Sequence, residues 1–151
     1  MSDTNLTGWR RLVLEWSDLP LRASLAATFI VHGYPKMFGG LEDFAGNLEK
    51  MGMPMPGVLA FLAALAEFGG GIGIALGFLT RLSALGIMAV MFVAITQVHW
   101  KDGFKGNEFQ IALFCMAFCL LLRGAGPLSV DRIFSGYWSR KRQAEQASKA
   151  A

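Results

Sequence analysis

Residues 57–79 read GVLAFLAALAEFGGGIGIALGFL, 23 residues in which Glu67 is the single charge. As a helix the stretch is about 34 Å long, enough to cross roughly 30 Å of hydrocarbon. Three further apolar runs flank it. Residues 19–37 form a first span, with Arg22 and Lys36 near its ends, from which their long stems can snorkel to the interfaces. Pro35 removes the hydrogen bond to the carbonyl of Val31, so a kink or an early end is expected there. Residues 82–98 form an uncharged third span after a tight turn at Thr80 and Arg81. A fourth runs from near Glu108 to Leu122. The expected fold class is an all-α integral membrane protein, a bundle of four transmembrane helices with short amphipathic interfacial helices.

Composition agrees with that reading. Of 151 residues, 54% are hydrophobic and 17% charged, and mean hydropathy is +0.43; a soluble domain carries roughly 25% charge. Leu6, Trp9, Leu12, Val13 and Trp16 recur at helical spacing with Arg10 and Arg11 between them, which predicts a short surface helix over residues 1–18. Glu15 and Asp18 break what would be the apolar core of a signal peptide, so the first apolar segment is expected to stay in the mature chain. In the loop after the first span, Leu41, Phe44, Leu48 and Met51 oppose Glu42, Asp43, Glu49 and Lys50. That pattern predicts a re-entrant or interfacial helix, ended by Gly52 and Pro54. The chain thus divides into an amphipathic segment, 1–18, a transmembrane domain, 19–127, and a basic tail, 128–151.

The net charge of +3 does not form a nucleic-acid-binding stripe, because the basic residues abut apolar runs. They act as topology markers. Four spans put Arg10, Arg11, Arg22, Arg81, Arg123, Arg132, Arg140, Lys141, Arg142 and Lys149 on one side and Lys36, Lys50, Lys101 and Lys105 on the other. The positive-inside rule makes the arginine side cytoplasmic, with both termini there.

Candidate chemistry centres on Glu67, since an ionisable group inside a membrane is costly unless paired or protonated and marks a proton relay or ligand contact. His32, Lys36, Gln97, His99 and Glu108 fall at similar depth by topology and complete a candidate ligand-binding or proton-relay site. The helical rise predicts that Glu67 shares one polar cavity with His32 or Lys36. Gly69, Gly73 and Gly77, spaced by four, predict a close helix–helix face. No ligand spacing diagnostic of a metal is present, and a haem held by His32 and His99 is disfavoured because His99 stands at a helix end. Cys115 and Cys119 are one turn apart on one helix, poor geometry for a disulfide, and read as packing residues.

Several of these residues carry a family resemblance. H-G-Y-P-K at 32–36, E-F-G-G-G-I-G-I-A-L-G-F-L-T-R at 67–81, then His99, Glu108 and G-A-G-P-L-S-V-D at 124–131 together resemble the DoxX family of small bacterial membrane proteins. The resemblance covers roughly residues 18–131, and Arg22, His32, Lys36, Glu67, Arg81, His99, Glu108 and Asp131 match its polar pattern. It implies a four-helix domain in the bacterial inner (plasma) membrane and a link to redox chemistry. Members are named after a subunit of a quinone-linked oxidase, and others are associated with oxidative, thiol or quinone stress.

The functional expectation is a redox-associated membrane subunit that binds a quinone-like, lipid-soluble molecule, as part of a quinone-linked oxidoreductase. No flavin, nicotinamide or metal motif is visible, so electrons would come from a partner protein or the ligand itself. Two rivals stand beside it: a small transporter or permeability factor that uses Glu67, and a non-catalytic assembly subunit held by its glycine face, as an oligomer or with another protein.

Overall fold

The structure is a computed structural model that describes residues 8, 13, 16–98, 100, 103–124, 126 and 128–150. Among the described residues six helices follow one another: α1 Asp18–Phe38, α2 Leu41–Lys50, α3 Pro56–Leu76, α4 Thr80–Val93, α5 Gly103–Arg123 and α6 Val130–Ala150. α4 widens at its end into a single π-type turn, Ala94–Val98. The described residues contain no strand. The surface helix expected over residues 1–18 lies almost wholly outside the described residues.

α3 begins with Pro56 in its first turn, where the missing N–H costs nothing. It stops earlier than the apolar run suggested. Gly77 adopts φ +65°, Phe78 N donates to Gly73 O at 2.8 Å and Gly77 N to Ile74 O at 3.2 Å, a Schellman-type close. The turn therefore occupies residues 77–79, and Thr80 already opens α4. α5 starts at Gly103, more than a turn before Glu108, so the fourth apolar segment is a full 21-residue helix. Pro35 does not end α1. The helix continues to Phe38, and Gly39 N and Gly40 N both donate to Pro35 O.

α1 packs mainly on α3, α3 also on α4 and α2, and α4 on α5. The interior is built from Leu25, Phe29, Ile74, Ile87 and Leu120 with Ala84 and Ala117 between them. Large apolar side chains such as Leu65, Leu76, Leu82, Leu85 and Phe92 point outward. Large apolar residues facing outward, with alanines set between the buried side chains, suit helices packed in lipid. Among the described residues three helices are long and apolar enough to cross a membrane: Pro56–Leu76, Thr80–Val98 and Gly103–Arg123. α1 matches α3 and α5 in length, but Asp18, Arg22, His32 and Lys36 leave it more polar than those three.

One glycine expectation changes. A Cβ on Gly71 would lie 2.9 Å from the backbone nitrogen of Ile30, and one on Gly73 would collide with the Ser83 hydroxyl. Gly71 thus admits α1 and Gly73 admits α4. Gly77 serves the turn. At Gly69 a Cβ would meet only Leu65 of its own helix, so Gly69 is not a packing glycine; it points away from both neighbours.

Candidate functional site

α1 and α3 touch along their backbones at Gly33, where a Cβ would lie 2.5 Å from Phe68 N and 3.0 Å from Glu67 C. One turn on from Gly33, the Lys36 side chain reaches Glu67. Its Nζ donates to Glu67 Oε1 at 2.6 Å and to Oε2 at 2.7 Å. The carboxylate side chain is 4% exposed and the lysine side chain 32%. Two opposite charges in close contact satisfy each other where neither could stand alone. α2 covers the lysine. The Phe44 ring lies 4.8 Å from Nζ, a cation–π contact, and Leu48 is buried below it.

The ion pair forms part of the wall of a cavity of about 690 Å³ between α1, α2, α3, α4 and α5. That volume suits a drug-sized molecule. Most of the lining is apolar, from residues such as Phe29, Leu62, Ala66, Met91 and Leu113. His32 also lines it, on the same face of α1 as Lys36. The π-turn that follows α4 contributes Ala94 and Val98.

The predicted site residues separate into two groups. His32, Lys36 and Glu67 share the cavity. Gln97 and Glu108 are exposed and are not among its lining residues. Glu108 belongs to the stripe Glu108, Ala112, Cys115 and Cys119, all exposed, so both free thiols face outward with it. His99 lies outside the described residues. Among the described residues no three His, Cys, Asp or Glu side chains cluster as metal ligands would.

The family model described as DoxX matches residues 17–100, more than half of the chain. The chain belongs to the DoxX family. It is 33% identical over 125 residues to "Inner membrane protein YqjF" of Escherichia coli (strain K12), covering 80% of this chain and 93% of that one. It is likewise 33% identical over 120 residues to "Inner membrane protein YphA" of the same organism, covering 74% and 85%. A third relative, CatD of Bacillus subtilis (strain 168), whose name provisionally calls it an oxidoreductase, is 32% identical over 125 residues, 81% and 90% of the two chains. No solved structure matches the chain.

Two other polar residues that match the DoxX pattern, Arg22 and Asp131, lie at the opposite end of the bundle. Arg22, 4% exposed, donates from Nε to Ile74 O at 3.0 Å, from Nη2 to Ala75 O at 3.0 Å and from Nη1 to Leu128 O at 2.7 Å. It thus satisfies Ala75 O at the end of α3 and adds a second donor to Ile74 O, which also accepts from Gly77 N. Asp131 accepts from Leu79 N at 2.8 Å and Thr80 N at 2.9 Å, capping α4 from 51 residues away. Arg123 pairs with Asp18 at 3.0 Å, joining α5 to α1. This end is a fastening for the α3–α4 turn.

Sequence reasoning missed Gln110. It lines the cavity from α5, and its amide oxygen is buried without a hydrogen-bond partner. Glu108 and Gln110 are two residues apart, about 200° around a helix, so they face opposite ways. The signal was present in the spacing: Gln110, Leu113, Ala117 and Leu120 step by three, four and three, the inward stripe of α5.

Proposed function

We propose that this DoxX-family chain is a four-span inner-membrane protein, with α1 as the fourth span and both termini cytoplasmic, that holds a quinone-like, lipid-soluble molecule beside Lys36 and Glu67. The observation that carries the reading is the Lys36–Glu67 ion pair in the wall of a mainly apolar cavity of about 690 Å³. An apolar chamber suits a ring and its tail, and a charged hydrogen-bonding pair suits a polar oxygen on that ring. The inner-membrane names of two relatives support the location, and the bias of basic residues supports the orientation. The name of the Bacillus relative supports a redox association. In this reading the chain binds and orients the molecule, and a partner protein exchanges electrons with it.

Purification in mild detergent followed by mass spectrometry of extracted lipids tests the reading. A quinone-type lipid is expected at near-stoichiometric amounts with the wild-type protein and at least tenfold less with Glu67→Gln. Phospholipid alone in both samples would overturn it. Uptake of a solute into vesicles that depends on Glu67 would instead place the chain among transporters.

A further inference from the structure

None of the described residues of α6 lines the cavity. The helix starts at the fastened end of the bundle, where Asp131 N donates to Gly77 O at 2.9 Å and the Asp131 carboxylate accepts from Leu79 N and Thr80 N. Those partners belong to the turn between α3 and α4, two helices long and apolar enough to cross a membrane. α6 therefore sets out from the level of a membrane surface. It runs on to Ala150, and among the described residues no other helix packs along it.

Its side chains do not suit a helix surrounded by water. Ile133, Phe134 and Trp138 are each more than half exposed, and large apolar side chains gathered on a surface mark a place of contact. At about 100° per residue, Phe134 and Trp138 fall within about 60° of Asp131 around the helix, and Ile133 flanks Phe134 about 100° further round. The two rings thus look the same way as the carboxylate that reaches the ends of the spanning helices. Lys141 and Arg142, both exposed, fall within about 80° of that direction. The Lys141 ammonium lies 5.6 Å from the centre of the Trp138 ring. Aromatic rings interleaved with basic stems on one face form the pattern of a helix lying in the headgroup layer of a bilayer.

Charge selects the partner. α6 holds five basic residues against two acidic ones, and one of those two, Asp131, is taken up by backbone N–H groups. Glu145 falls on the same face as the rings but is outnumbered there by Lys141 and Arg142. A second copy docked on this face would set like charges together, whereas a negatively charged lipid surface attracts them.

We infer that α6 docks on the surface of the membrane that holds the bundle, on anionic phospholipid headgroups. Phe134 and Trp138 enter the headgroup layer, and Lys141 and Arg142 meet the lipid phosphates. The fastening at Asp131 fixes the point from which the helix reaches the surface. The inference is independent of what fills the cavity beside Lys36 and Glu67.

The test measures amide hydrogen exchange over residues 132–146 of the full chain in two kinds of nanodisc. One is phosphatidylcholine alone, and the other is a two-to-one mixture of phosphatidylcholine and phosphatidylglycerol. A helix in a protein gains most of its stability from packing, so docking shows as slower exchange. Wild type is expected to exchange at least fivefold more slowly in the mixture. Phe134→Gln with Trp138→Gln, and separately Lys141→Gln with Arg142→Gln, should each shrink the difference between the two lipids to less than twofold. Exchange within α3 and α4 should stay as in wild type in both variants, which shows that the bundle is intact. Equal exchange of the wild type on the two lipids would overturn the inference. If fast on both, α6 is undocked; if slow on both, it is held by something other than anionic headgroups, such as a second copy. Slowing in the mixture that either double variant retains would overturn it as well.

Discussion

Lys36 and Glu67 form a two-pronged ion pair between α1 and α3, at 2.6 and 2.7 Å, one helical turn from the point where the two backbones meet at Gly33. The close approach and the pair depend on each other. Glycine brings the helices near enough for the lysine to reach the carboxylate, and the pair lets a carboxylate reside at that depth.

Breaking the pair from one side should cost more than removing it. Lys36→Met leaves the carboxylate buried and alone, with an expected loss of about 1–3 kcal/mol, below the range for a fully buried pair because the lysine side chain is a third exposed. The double variant Lys36→Met, Glu67→Leu should recover at least half of that loss. Thermal unfolding of the three proteins in one detergent checks it; equal stability of the single and double variants would show that the pair is not coupled.

The glycines of α3 should respond unequally. Gly71→Leu and Gly73→Leu push the helix away from α1 and from α4 respectively, at the upper end of the usual 1–3 kcal/mol for overpacking. Gly69→Ala has room and replaces the poorest ordinary helix former with the best, so a gain of up to about 1 kcal/mol is expected. Unfolding midpoints in detergent give the order. If Gly69→Ala were as damaging as Gly71→Leu, the assignment of faces would be wrong.

At the other end of the bundle, two substitutions on one turn should act with opposite sign. Asp131→Ala removes the acceptor for Leu79 N and Thr80 N and is expected to cost about 1–2 kcal/mol. Leu79→Gly relieves a positive φ of +46° in a residue with a side chain and should stabilise by up to about 1 kcal/mol. Chemical denaturation of both in the same micelle measures the signs, and a destabilising Leu79→Gly would show that its exposed side chain matters more than its backbone.

Much of this architecture was legible in the sequence because lipid imposes a simple rule: an apolar run of sufficient length is a helix. Residues 57–79 announced α3, and the spacing from Leu41 to Met51 announced α2. Helical rise pointed to a cavity shared by Glu67 with His32 or Lys36, without saying that the lysine would be the one to meet the carboxylate. Helix ends were harder, because Gly77 closes α3 while Phe78 and Leu79 stay apolar, so hydropathy does not mark the stop. Within the site, charge misled. Glu108 drew notice as an ionisable residue, yet the inward stripe of α5 carries Gln110, whose neutral amide gives no charge signal. The fastening of Arg22 and Asp131 to the α3–α4 turn joins residues more than 50 positions apart, which periodicity along one helix does not reveal.

The orientation is open to direct measurement. Reporter fusions after Ala151 and after Asp102 should report opposite sides of the membrane, with Ala151 cytoplasmic, as the arginine bias requires. A periplasmic C-terminus would reverse the orientation, and matching signals from both fusions would remove a span.

The central claim, that the cavity beside Lys36 and Glu67 holds a quinone-like molecule, is tested most directly by photolabelling. A tailed azido-benzoquinone is irradiated with the protein in nanodiscs, and the modified peptides are mapped by mass spectrometry. The account predicts labelling within residues 28–36, 59–67 and 109–113, suppressed by excess unlabelled 2-decyl-1,4-benzoquinone and reduced at least fivefold in Glu67→Gln. Labelling spread over outward residues such as Leu76, Leu82 and Phe92, unchanged by competitor or by the substitution, would contradict it.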